Sequence, residues 1–363
     1  MATLEIINVT KRFGRKVIAA DNISLKVHDQ EFLVLLGPSG CGKTTTLRMV
    51  AGLEEVTDGN ILIDGVDVTD LPPRKRNISM VFQNYAIWPH MTVYENISYA
   101  LKLKHMEKGV IDRIVHEVAG MTKIEELLER LPAQLSGGQQ QRVAVARAIA
   151  VSPKVFLMDE PLSNLDAKLR VSTRTELKAI HASAKATTVF VTHDQAEAMS
   201  IADRIVIMRH GKIIQIGTPE EVYDKGANIF VADFIGTPPT NFFDVELQRN
   251  GKGLHLVNSY FDLRLLPENE ARLKAYNKDQ LTLGVRPENI ILVKKPKSIL
   301  DTTALVVEPQ GSHQVIAFKL GERIIKIVAP ALPKMEMGET IYLNFKQESL
   351  RFFDPESTIA IGD

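Results

Sequence analysis

Apolar and polar positions alternate with a period of two over Leu4-Glu5-Ile6-Ile7-Asn8-Val9 and again over Ile23-Ser24-Leu25-Lys26-Val27, so both stretches read as strands. Phe13-Gly14-Arg15 supplies a turn between them. Phe32-Leu33-Val34-Leu35-Leu36 is continuously apolar and reads as a buried strand, followed by a helix from Lys43 to about Ala51. A short strand pair is expected around Asn60-Ile61-Leu62-Ile63-Asp64-Gly65. Ile78-Ser79-Met80-Val81-Phe82 reads as a further buried strand that ends on Gln83. From about Val93 to Leu131 the spacing becomes helical, with Ile111, Ile114, Val115, Val118, Leu127, Leu128 and Leu131 recurring at three- and four-residue intervals. Another helix follows from about Gln140 to Ala150. Val155-Phe156-Leu157-Met158, a helix running to about Ala184, and Thr188-Val189-Phe190-Val191-Thr192 restore the strand–helix grammar. Ile205–Met208 and Ile213–Ile216 flank Arg209-His210-Gly211-Lys212 as a hairpin. The expected core is therefore α/β, interrupted by an all-helical insert.

After a short helix at Pro219–Asp224 and the segment Phe230–Ile235, Gly236-Thr237-Pro238-Pro239-Thr240-Asn241 is the best linker in the chain. Beyond it lie short strands: Phe243–Leu247, Leu281–Val285, Thr303–Val307 and Thr340–Phe345. Closely spaced strands with intervening turns argue a small β-barrel. With 363 residues, two domains are expected, 1–235 with a helical subdomain at about 85–155, and 236–363.

Composition narrows the function. Lys plus Arg equals Asp plus Glu at 44 each, so no overall field draws the chain to nucleic acid or an anionic membrane. The proline-broken turn Leu71-Pro72-Pro73-Arg74-Lys75-Arg76 reads as a solvated loop rather than a nucleic-acid patch. A single cysteine, Cys41, excludes an intramolecular disulfide and fits a reducing compartment. Met1-Ala2-Thr3-Leu4-Glu5 has neither the basic nor the apolar region of a signal peptide. No apolar run approaches the ~18–20 residues that span a bilayer. The expectation is a chain that is neither secreted nor membrane-spanning by itself.

The chemistry begins at Gly37-Pro38-Ser39-Gly40-Cys41-Gly42-Lys43-Thr44, which fits G-x-x-x-x-G-K-[ST] between a strand and a helix. Its glycines let backbone N–H groups wrap an anion at a helix N-terminus, Lys43 adds a point charge, and the Thr44 hydroxyl suits Mg²⁺. The loop is built for a nucleoside triphosphate with Mg²⁺. A dinucleotide motif fails, because Thr45 stands where a third glycine belongs. A thiol reagent at Cys41 would block this site without the thiol being catalytic. Asp159-Glu160 leaves a buried strand at the end where α/β sheets bind ligands, so Asp159 can hold Mg²⁺ while Glu160 orients or deprotonates water. His193, delivered to the same edge, can reach a terminal phosphate or the water, or can be an ordinary satisfied side chain. Phe13 can stack on a purine or pack in a core, and its position does not separate the two. No two histidines have metal-ligand spacing.

The phosphate loop, Gln83, Leu135-Ser136-Gly137-Gly138-Gln139, Asp159-Glu160, Asp166 and His193, in this order, resemble the ATP-binding subunits of ABC transporters. Phe234–Phe242, Gly284-Val285-Arg286-Pro287-Glu288-Asn289 and Ser163–Arg170 are similar to the maltose-type, sugar-importer branch. Departures are Thr240, where those proteins usually carry Met, and the Gln139-Gln140-Gln141 run. The resemblance implies a P-loop, RecA-like ATPase core with a helical subdomain and a C-terminal OB-like, TOBE-type barrel. It implies ATP bound with Mg²⁺ by Ser39, Gly40, Cys41, Gly42, Lys43, Thr44 and Thr45, with Thr44, Gln83 and Asp159 toward the metal. Glu160 becomes the catalytic carboxylate, His193 the switch histidine, Gln83 a partner of the attacking water and Phe13 the adenine-stacking ring. Ser136, Gly138 and Gln139, with Asp166 also in the nucleotide set, serve ATP between two chains of a head-to-tail homodimer. Implied partners are two integral membrane permease subunits and, indirectly, an extracellular solute-binding protein. The chain would then work peripherally at the cytoplasmic face of the cell membrane, with Trp88 an apolar anchor for a permease helix or ordinary packing of the insert. An importer ATPase for polyamine, sulfate, iron or glycerol phosphate shares this architecture, and a soluble ABC ATPase acting on DNA or ribosomes is the reading from another class.

Overall fold

The computed structural model describes residues 2–250 and 253–362, so Met1 and Asp363, the outer ends of the two expected domains, lie outside the described residues. Packing divides the chain into residues 1–219 and 220–363.

In the first unit, β1 (Leu4–Phe13) and β2 (Val17–Val27) pair antiparallel across the expected Gly14 turn. With β4 (Asp58–Ile63) and β5 (Val66–Asp67) they form a four-stranded sheet in the order β2-β1-β4-β5. A second sheet has the order β10-β9-β3-β8-β7-β6. Its strands are β3 (Phe32–Leu36), β6 (Ile78–Val81), β7 (Val155–Asp159), β8 (Thr187–Thr192), β9 (Arg204–Arg209) and β10 (Lys212–Gly217), all parallel except β10. β3, β7 and β8 are buried along their whole length, which is why they carry continuous apolar runs rather than alternation. The register aligns Leu36 with Thr192, Val191 with Asp159 and Met158 with Val81. Consequently the loops after β3, β6, β7 and β8 all leave at one edge.

The helical insert is observed as α2 (Val93–Leu103), α3 (Lys108–Thr122) and α4 (Gly137–Ile149). α4 starts earlier than the apolar spacing indicates, because Ser136 and Gln139 form a capping box that lets two glycines begin the helix. One sequence expectation fails here. Arg76 is 4% exposed, not solvated, and its guanidinium donates to the carbonyls of Met49 (2.7 Å), Val50 (3.0 Å), Leu71 (2.7 Å) and Thr69 (2.7 Å). It closes the C-terminal end of α1 (Lys43–Ala51), where a cation is favoured and free carbonyls need donors. Arg74 and Lys75 are exposed as expected.

By packing, the second unit takes in the elements from Glu220 onward, starting upstream of the Gly236–Asn241 linker expected from the sequence. Its first elements, α7 (Pro219–Asp224) and α8 (Ile229–Phe234), are held by residues far downstream. Arg286, only 7% exposed, donates to the carbonyls of Ile235 (2.7 Å) and Tyr223, and its guanidinium lies 3.6 Å from the centroid of the Tyr223 ring. Tyr223 in turn donates to Glu288 (2.6 Å), and Thr240 donates to the Ala232 carbonyl (2.6 Å). The strands beyond form one six-stranded and two three-stranded sheets around a shared apolar core that includes Phe243, Leu283, Phe318, Leu343 and Phe352. The expected strand Thr303–Val307 is split, Leu300–Thr303 pairing with Thr340–Phe345 and Val306–Pro309 with His313–Leu320.

Arg286→Ala removes the donor for the buried Ile235 carbonyl and the half-buried Tyr223 carbonyl, and an orphaned buried group costs about 1–3 kcal/mol. The unfolding transition of the second unit should fall by that order in calorimetry of the full chain, while that of the first unit stays unchanged.

Candidate functional site

The loop between β3 and α1 turns through Gly40 (φ 76°) and Gly42 (φ 106°). A Cβ at Gly42 would collide with the Ala19 carbonyl on β2, so backbone conformation and close approach both demand glycine there. Ser39 and Gly40 are exposed, Gly42, Thr44 and Thr45 are partly buried, and Cys41 and Lys43 are buried. Lys43 Nζ donates to the loop carbonyls of Gly37 (2.8 Å) and Pro38 (3.0 Å) and lies 3.8 Å from Cys41 Sγ. Cys41 is 3% exposed and burial raises its thiol pKa, so the reagent access expected from sequence is closed in this conformation.

Across the edge, the Thr44 hydroxyl donates to Asp159 Oδ1 at 2.9 Å, and Arg48 approaches Asp159 Oδ2 at 4.0 Å. Asp159 is 5% exposed, and desolvation raises its carboxyl pKa against the opposing pull of the Thr44 bond and Arg48. A hydroxyl and a carboxylate side by side are hard oxygen donors of the kind Mg²⁺ takes, completed by phosphate and water oxygens. Among the described residues there is no group of three His, Cys, Asp or Glu that could hold a metal without such help.

Glu160 follows in the left-handed region (φ 46°), a conformation costing about 1–3 kcal/mol for a residue with a side chain. Its N–H donates to the Val191 carbonyl (3.1 Å) and its carbonyl accepts from Ser163 Oγ (2.9 Å), which hold it there. The reversal aims Glu160 Oε2 toward Gln83 Nε2 (3.5 Å) and His193 Nδ1 (3.3 Å). His193 is 55% exposed on its side chain, so it is not a satisfied core histidine. The turn carrying it is fixed by Thr192, whose hydroxyl donates to Glu197 (2.6 Å) and accepts from the Asp194 N–H (3.0 Å).

Phe13, 43% exposed at the end of β1, is not a core residue, and Lys11 Nζ stands 5.0 Å from its ring centroid. Asp166 caps α5 (Ala167–Ala184) by accepting from the Leu169 N–H at 3.0 Å. Ser136 caps α4, with Gln139 Oε1 accepting from the Ser136 N–H at 2.9 Å and Gly138 buried against Leu169. None of these five makes a hydrogen bond to the Thr44–Asp159 or Gln83–Glu160–His193 groups among the described residues.

Two residues that sequence reasoning passed over also belong to the edge. Asn164 Nδ2 donates to the Gln83 carbonyl (2.7 Å), and Arg147 donates to the carbonyls of Tyr85 (3.0 Å) and Ala86 (2.7 Å), both left-handed at φ 61° and 47°. No motif flags them, because their partners are backbone atoms. Trp88 is half-buried, with its ring tilted against Tyr99 (centroids 4.6 Å apart) and under Arg147 (4.9 Å), and with its N–H and carbonyl both bonded to the buried Asn96. It is therefore partly packing of the insert and partly surface.

The family model described as "ABC transporter" matches residues 20–163, that of the "MalK OB fold domain" 236–290, and that of the "TOBE domain" 283–353. The multiple sugar-binding transport ATP-binding protein MsmK of Streptococcus mutans is 45% identical over 99% of this chain and 100% of its own length. The trehalose/maltose import ATP-binding protein MalK of Thermococcus litoralis is 44% identical with the same coverage, and an uncharacterized ABC transporter ATP-binding protein of Bacillus subtilis is 46% identical. A dimeric ATP-binding cassette bound to ADP and Pi in a post-hydrolysis state superposes with a TM-score of 0.53 at 32% identity, covering 60% of this chain and 98% of that one.

Asp159→Asn should raise thermal stability at neutral pH. The raised native pKa means that ionisation disfavours the folded state, so the wild type loses relative stability as pH rises from the unfolded carboxyl range through the native one. Asn keeps an acceptor for Thr44 without the charge. Melting midpoints of the two proteins should converge near pH ~4 and separate by a few degrees at neutrality, about 2–4 °C per kcal/mol in a unit of this size.

Proposed function

The chain belongs to the ATP-binding subunits of ABC transporters, and from that premise we propose that it energises import of a sugar by hydrolysing ATP at the edge bounded by Lys43, Asp159, Glu160 and His193. The observation that carries this reading is the convergence of Gln83 and His193 on one Glu160 carboxylate oxygen, at 3.5 and 3.3 Å, one residue from the Thr44–Asp159 pair. Sugar as the solute follows from the two relatives whose names give sugar transport.

In this mechanism Phe13 stacks on the adenine, and the N–H groups from Ser39 to Thr45 cradle the phosphates. Lys43 exchanges the Gly37 and Pro38 carbonyls for outer phosphate oxygens. Thr44 and Asp159, with Gln83 close by, would hold Mg²⁺, which would supply positive charge against that of the phosphates. Glu160 accepts a proton from water as its oxygen attacks the γ-phosphorus and the bond to the β-phosphate oxygen breaks, releasing ADP and phosphate. Gln83 and His193 orient that water and the γ-phosphate. Ser136, Gly138 and Gln139, with Asp166 at the adjoining helix cap, complete the site of a second, antiparallel copy. ATP binding closes the dimer at the cytoplasmic face and drives two membrane permease subunits, which receive solute from an extracellular binding protein. Hydrolysis resets them. Among the described residues, no helix is long and apolar enough to cross a membrane.

Glu160→Gln keeps the size and the Gln83 contact but removes the base. Hydrolysis should fall by about 10²–10⁴-fold while ATP binding persists, with an ATP-bound dimer accumulating in sedimentation. Turnover within a few-fold of wild type would move the base to another group.

A further inference from the structure

Tyr85 and Ala86 are consecutive non-glycine residues in the left-handed region, an arrangement that ordinary side chains avoid. The chain tolerates it because one half-buried cation holds both peptides. Arg147 Nη1 donates to the Ala86 carbonyl at 2.7 Å and Nη2 to the Tyr85 carbonyl at 3.0 Å. Burial lowers the guanidinium pKa, and among the described residues no carboxylate lies within ion-pair distance of it. Its charge is met by two carbonyls and by the face of Trp88, 4.9 Å from the ring centroid. A half-buried guanidinium that donates to two successive backbone carbonyls under an aromatic ring is a clamp rather than a solubility device.

The two ends of this clamp lie in different places. One end is the segment that leaves β6, where Gln83 reaches Glu160 and its own carbonyl accepts from Asn164. The other is α4, whose N-cap is Ser136, eleven positions before Arg147 and about 16 Å away along a rigid helix. We propose that Arg147 is a positioning residue that locks the Tyr85–Ala86 step to α4, so that Gln83 at one ATP site and Ser136, Gly138 and Gln139, which face the ATP of the second copy, move as one body. The inference rests on the hydrolytic reading above and assigns it a connection between the two sites of the dimer. Lysine cannot replace Arg147 here, because a single ammonium offers no planar fork to span two successive carbonyls.

The test uses the full chain and its only tryptophan, Trp88, as a reporter of the clamped segment. Arg147→Lys should bind ATP within about twofold of wild type and melt close to it, yet lose about tenfold or more in kcat with KM little changed. The change in Trp88 emission on adding ATP and Mg²⁺ should be present in wild type and in Glu160→Gln and absent in Arg147→Lys. If Arg147→Lys fails to fold, Arg147→Gln, which keeps one donor without the charge, is read in the same way. An unchanged kcat with the emission response intact would overturn the proposal. So would a parallel loss of melting temperature, ATP affinity and KM, which would make Arg147 a packing residue. Normal hydrolysis by Glu160→Gln would overturn the hydrolytic reading alone, since the emission response reports nucleotide binding rather than the identity of the base.

Discussion

The register of the parallel ladder is the constraint on which the rest of this molecule depends. Leu36 opposite Thr192, Val191 opposite Asp159 and Met158 opposite Val81 bring four loops to one level of the sheet. A slip of one residue in any of these strands would turn its side chains to the other face and displace its terminal polar group by about 3.3 Å. That shift exceeds the margin in a set of contacts at 2.9, 3.3 and 3.5 Å. Full burial of β3, β7 and β8 on both faces therefore does more than supply a core. It is what pins the depth at which Thr44, Asp159 and the residues after them emerge.

At that edge the backbone leaves its comfortable regions. Glu160, Tyr85 and Ala86 all have positive φ, and each is held by hydrogen bonds from elements other than its own. Strain of this kind survives only where the surroundings over-determine it. For Glu160 the supporting partners are a neighbouring strand and the following turn, both parts of the sheet body. For Tyr85 and Ala86 the partner is Arg147 on a helix of the insert. The two strained steps are thus anchored to different bodies, and Gln83 lies between them.

Sequence legibility follows the same physics. The sheet, the phosphate loop and the hairpin at Ile205–Ile216 were readable because continuous apolar runs and glycine spacing are local signals, and the observed α1 spans the expected Lys43–Ala51. The start of α4 was less readable, because Gly137 and Gly138 are poor helix formers and only the Ser136–Gln139 box reveals that the helix begins there. Arg76 and Arg147 were misread or missed for one reason. Both donate to carbonyls, which every residue possesses, so no pattern of side chains announces them. Arg286 hides similarly, and with it the tie that moves α7 and α8 to the second unit.

The two signature glycines illustrate how a shared motif divides into separate causes. A Cβ on Gly138 would meet Leu169 Cδ2 at 2.7 Å, closer than real Cβ atoms approach carbon, so a side chain there would require the half-buried Leu169 side chain on α5 to shift. Gly137 is different. A Cβ there would make only an ordinary contact with Leu165 at 3.7 Å, and its φ is not in the left-handed region, so alanine would fit and would also favour the helix. The chain's own fold thus gives no reason for glycine at 137. A bare first turn leaves Gly137 exposed at the positive end of α4, between Ser136 and Gln139, which satisfy each other's backbone.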